Sequence, residues 1–146
     1  MTIKAFLPVG PIADREQADT LLELAFLVTA ADGRLAAEEA AAFRELMGRV
    51  RGQDVADADV AALYERFTAA LQGTTCNDRV RVVAPKLADE LRETAFRVAL
   101  ALALIDRDAS PHEDELIDVL FESLKLDRDR AEAIAKDVRT AMSPPA

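Results

Sequence analysis

Two features of the sequence predict an all-α domain. Alanine, leucine, glutamate and arginine dominate, while β-branched residues are sparse and aromatic residues make up only 5%, a composition that favours helix and leaves little for strands. Apolar residues also recur at helical spacing in segment after segment. About seven helices are expected, arranged as two pseudo-twofold-related helix pairs around a central apolar helix.

The first helix is expected from about Asp14 to Ala31, with Leu21, Leu22, Ala25 and Val28 on one buried face. The second should run from about Ala37 to Val50 on Phe43, Leu46, Met47 and Val50, its end weakened by Gly48 and Gly52. In "DADVAALYERFTAALQG" Asp57 or Asp59 is the expected cap, Val60, Leu63, Phe67 and Leu71 form the stripe, and Gly73 is the stop. A short fourth helix should start on Asn77 as N-cap, use Val80, Val83 and Leu87, and break or kink at Pro85. From Ala95 to Ile105 the chain is apolar on almost every side, the pattern of a helix enclosed by its neighbours. The sixth helix should run from Pro111 to about Leu124 and the seventh from Asp127 to about Ala141, with Ala131, Ile134, Ala135, Val138 and Met142 facing the core.

A chain of 146 residues with 51% hydrophobic content is the size of one domain, here residues 1–146 with its core between about 14 and 141. The net charge of −9, spread over both halves, argues against nucleic acid or an anionic membrane as partner, since both need a positive field. Cys76 is the only cysteine, which excludes an internal disulfide and fits a reducing compartment, so the cytosol is expected. No apolar run approaches the ~20 residues that span a bilayer, and direct membrane insertion is not expected.

The chain repeats itself. Shifted by 74 residues, "LAFLVTAADGRLAAEEAAAFRELM" from Leu24 falls on "VALALALIDRDASPHEDELIDVLF" from Val98. Asp32 then meets Asp106, Glu39 meets Glu113, and Phe43, Leu46 and Met47 meet Ile117, Leu120 and Phe121.

The paired acids have a structural and a chemical reading. In the second copy Ser110, Pro111 and Glu113 fit the N-cap, first and third positions of a helix, a capping box with proline in its favoured place. In the first copy the matching cap is Ala36, which has no side-chain acceptor, so Glu39 has less structural reason to be there. On the chemical reading, Asp32, Glu39, Asp106 and Glu113 face one another across an approximate twofold as an oxygen-only cluster. Such a cluster suits a hard divalent cation, Ca²⁺, Mg²⁺ or Mn²⁺. Asp108 is a candidate extra ligand. The segment is not an EF-hand, because Pro111 and Ile117 stand where glycine and a bidentate glutamate are needed.

Other chemistry is missing. His112 is the single histidine, so neither a helical di-iron site nor a His-Cys zinc site can be assembled. Ser110 and His112 are two residues apart on a helix start and do not face each other. Cys76 reads as a packing residue, and the scattered glycines form no phosphate loop.

The two segments "ADGRLAAEE" and "IDRDASPHEDE", each following an alanine-leucine helix, resemble the TerB family of tellurite-resistance proteins. The family pattern is an apolar helix ending in Ala-Asp-Gly, with a glutamate seven residues after the aspartate, repeated later in looser form. The likeness covers about Asp14 to Ala141; the second segment departs at Ile105 and Arg107. The resemblance implies an all-helical domain with a divalent-metal site at the acidic positions and a stress-response role exercised through protein partners. It does not imply direct handling of tellurite, an anion that a domain of net −9 repels and that a lone cysteine cannot reduce as a dithiol would. The expected function is therefore a non-catalytic, cation-binding interaction module. The alternatives are a purely structural interaction domain whose acids cap helices and, least favoured, an acid-base hydrolase at the same carboxylates.

Overall fold

The structure, a computed structural model, describes residues 11–30, 37–105 and 111–142, excluding the side chains of residues 37–39, 104–105, 111–114 and 142. The described residues form α1 (Arg15–Ala30), α2 (Ala37–Arg51), α3 (Asp57–Ala70), α4 (Cys76–Val83), a 3-10 turn (Ala84–Lys86), α5 (Asp89–Ile105), α6 (Pro111–Leu124) and α7 (Arg128–Met142), with no strand among them. The fold is all-α, as expected. Among these residues no helix is long and apolar enough to cross a membrane.

Most boundaries follow from local chemistry. Asp14 accepts from the Glu16 and Gln17 N–H groups at 2.9 and 3.3 Å and caps α1. Asp127 accepts from Arg130 N–H at 3.1 Å and does the same for α7. Two expected caps are displaced by neighbours. The N-cap of α3 is Ala56, and Asp59 supplies only the reciprocal half of a capping box by accepting from Ala56 N–H at 3.2 Å. The N-cap of α4 is Thr75 rather than Asn77, with the Thr75 hydroxyl accepting from Asp78 N–H at 3.1 Å. Asn77 is left free to donate to Glu115 at 3.0 Å, tying α4 to α6. Pro85 ends α4 through the 3-10 turn, as its missing N–H requires.

Gly52 ends α2 with φ +70°, and a Cβ there would lie 2.8 Å from Pro11, so this position needs glycine for both conformation and space. Ile12 N–H donates to the Val50 carbonyl at 2.9 Å and straps the chain's entry onto the same helix end. Lys125 ends α6 at φ +55°, where a side chain is strained, with its N–H donating to the Glu122 carbonyl at 3.2 Å, a bond that glycine keeps. Lys125→Gly should therefore raise stability by about 1 kcal/mol, read as a shift in the urea midpoint at unchanged slope.

Two helices, not one, form the centre. α5 is buried over Ala95, Phe96 and Val98–Leu102, as its pattern predicts. α1 is buried at every position from Leu21 to Thr29, well beyond the single face expected, because it packs against α2, α3, α4, α5 and α6. α1 and α5 pack on each other, and their starts are joined by Gln17. Its amide donates to the Lys86 carbonyl at 3.0 Å and accepts from Ala88 N–H at 2.6 Å. Arg92 fastens the other elements near this end, donating to the Leu87 carbonyl of the chain entering α5 and the Leu124 carbonyl at the end of α6, at 3.1 and 3.2 Å.

Candidate functional site

The two acidic segments occupy equivalent places in the order of helices. Residues 31–36 join α1 to α2, and residues 106–110 join α5 to α6. α1 and α5 begin 74 residues apart at Arg15 and Asp89, and α2 and α6 begin 74 apart at Ala37 and Pro111. Glu39 and Glu113 are each the third residue of a helix, in the first turn, where exposed N–H groups and the helix dipole favour a carboxylate. Asp32, Asp106, Asp108 and Ser110 lie outside the described residues, as do the side chains of Glu39, Glu113 and His112. Among the described residues no three Asp, Glu, His or Cys side chains come together to hold a metal.

The last turn of α1 leads into the first segment with its polar group satisfied. Thr29 is 1% exposed, and its hydroxyl donates to the Phe26 carbonyl at 2.8 Å. The polar group of this turn is therefore satisfied within the helix itself.

A charged cluster that sequence reasoning missed lies on the opposite stretch of α1. Glu23, 8% exposed, accepts from Arg79 of α4 through both oxygens, Nε at 2.5 Å and Nη2 at 3.1 Å. One turn earlier Asp19 meets Arg66 of α3 at 3.0 Å and Arg51 of α2 at 3.5 Å. A small cavity of about 190 Å³ opens beside these groups, with Glu16 and Lys86 at its edge. The cluster's two acids, Glu23 and Asp19, are both paired with its three arginines, so it locks α1, α2, α3 and α4 together and leaves neither carboxylate for a ligand. A trace of it is visible in the sequence, since Glu23 interrupts the apolar run "LLELAFLV". Its partner, 56 residues away, is not.

Cys76 is half-buried against the core, and burial pushes its thiol up from its ordinary pKa, away from the thiolate a nucleophile needs. This agrees with a packing role.

A family model described as "Tellurite resistance protein TerB" matches residues 14–136, most of the chain. No curated protein and no solved structure matches it. With the helix order and the two acidic inter-helix segments, that match assigns the chain to the TerB family, as a tellurite-resistance-associated helical module.

Proposed function

We propose that the chain binds a divalent cation through Asp32, Glu39, Asp106 and Glu113, with Asp108 as an extra ligand, and acts without catalysis by presenting its helical surface to protein partners in the cytosol. The observation that carries this reading is the common start of α1 and α5. These helices, of 16 and 17 residues, have their starts joined by Gln17 and pack on each other. The two acidic segments follow directly from them. The 74-residue spacing shared by both pairs of helix starts supports treating the halves as a repeat. The donor chemistry fits as well, because carboxylates alone select a hard cation, and the single histidine and cysteine offer no softer set.

Titration calorimetry with Ca²⁺, Mg²⁺ and Mn²⁺ on the chelator-treated protein should show binding of at least one of them. Asp32→Asn with Glu39→Gln should abolish it, because two of the four charges that offset the cation's dehydration are gone. Heat from none of the three ions, or binding that survives those substitutions, ends the cation reading.

A second reading, acids as helix caps alone, also has support. Asp14, Asp59 and Asp127 each accept a backbone N–H at a helix start in this same chain. On that reading Ser110→Ala and Glu113→Gln lower the melting temperature, while a chelator leaves it where it was.

A further inference from the structure

The two halves of the domain differ at one equivalent point. In the first half, Tyr64, the eighth residue of α3, wedges between α1 and α2, with ring centroids 5.7 Å from Phe26 and 5.1 Å from Phe43. Phe67, one turn on, closes over Phe26 at 5.5 Å. Counting from the helix starts, which are 74 residues apart for α1 and α5 and for α2 and α6 but 71 apart for α3 and α7, Phe26 corresponds to Leu100 of α5, Phe43 to Ile117 of α6 and Tyr64 to Ala135 of α7. Those three residues line an open groove of about 470 Å³ between α5, α6 and α7. Alanine stands where the first half has a tyrosine, and Ile117 stays half-buried where Phe43 is fully buried. Phe96 and Phe121, ring centroids 6.4 Å apart, line the same groove, so its floor is apolar and aromatic, and the α7 residue at the corresponding count adds no ring to it as Tyr64 does in the first half.

The α6 side of the rim is acidic. On its α6 side the groove carries Asp118 and Glu122, one helical turn apart and both exposed, and neither has an ion-pair partner among the described residues. Arg128 and Arg139 flank the α7 side with Glu132 between them. A segment that brings an aromatic side chain to the floor and basic residues at one-turn spacing to the α6 rim matches both. An amphipathic helix does so with residues at i and i+4.

We propose that the groove between α5, α6 and α7 docks an amphipathic partner helix, which inserts an aromatic side chain among Leu100, Ile117 and Ala135 and sets basic residues against Asp118 and Glu122. This deepens the partner-binding part of the function proposed above and is independent of the cation.

The test uses the full chain in excess chelator and a fluorescent helical peptide of alanine, leucine and lysine. The peptide has one central tryptophan on its apolar face and two lysines four residues apart beside it. Saturable binding is expected, weakened at least tenfold when the tryptophan is replaced by alanine or the lysines by glutamate. Ala135→Tyr, which fills the groove from within, should weaken binding by a similar factor. So should the surface pair Asp118→Lys with Glu122→Lys, which keeps the test decisive if Ala135→Tyr does not fold.

Several outcomes overturn the proposal. They are an absence of saturable binding, tolerance of both groove variants, and equal affinity for the tryptophan-free peptide. Free indole competing at the peptide's own affinity would assign the groove to a small molecule instead. Self-association of the wild type that Ala135→Tyr abolishes would assign it to a second copy. Because chelator is present throughout, failure here leaves the cation titration standing, and the reverse holds too.

Discussion

Phe43→Ala should cost about 3–5 kcal/mol, a large share of the roughly 5–15 kcal/mol that holds a domain of this size together. Phe43 is fully buried on α2, and its ring meets Tyr64, which in turn meets Phe26. Removing it takes away the hydrophobic contribution of the ring and leaves a cavity that cannot collapse, because rigid aromatic rings and the packed α1 wall surround it. The equivalent substitution in the second half should be milder. Ile117 is half-buried beside the open groove, so Ile117→Ala removes fewer contacts and creates no closed void, at about 1–2 kcal/mol. Urea unfolding of both variants measures the difference. Equal losses would mean that the second half is as tightly filled as the first, which would also remove the basis for a docking groove there.

That asymmetry shows which parts of the molecule are readable from sequence. The helices were legible because their signals are local. Asp14, Gly52, Gly73, Pro85, Pro111 and Asp127 each mark a boundary through backbone chemistry that neighbouring residues settle among themselves. Where two local candidates compete, as Thr75 and Asn77 do for the start of α4, the choice depends on a distant partner, here Glu115. The central role of α1 was only half legible. Glu23 breaks its apolar pattern, and nothing local reveals that Arg79 makes the interruption tolerable. The candidate cation site was legible as a repeated spacing of acids. Asp32, Asp106 and Asp108 lie outside the described residues, so to that spacing the structure adds only the matching helix starts. The groove was not legible at all. An alanine on the core face of a helix looks the same whether its neighbours fill the space or leave it open, and only comparison of the packed halves separates the cases.

The Glu23–Arg79 pair should respond unequally to loss of its two members. Arg79→Ala leaves a carboxylate in a site that is 8% exposed, with no cation to offset its desolvation, and should cost about 3 kcal/mol. Glu23→Gln leaves the guanidinium instead, on a side chain 26% exposed that can turn its charge toward water, so about 1–2 kcal/mol is expected. In the wild type the hydrogen bond to Glu23 raises the Arg79 pKa against an opposing desolvation, so the guanidinium stays charged throughout any practical pH range.

The two single variants therefore separate the burial of an uncompensated carboxylate from the loss of the hydrogen bonds alone. Replacing both members with leucine should recover most of the loss, since a packed apolar pair needs no charge compensation. Urea unfolding of the four proteins decides the matter. Equal losses for the two single variants would show that the pair is solvated and that α1 and α4 are held by Val80 and Val83 packing alone.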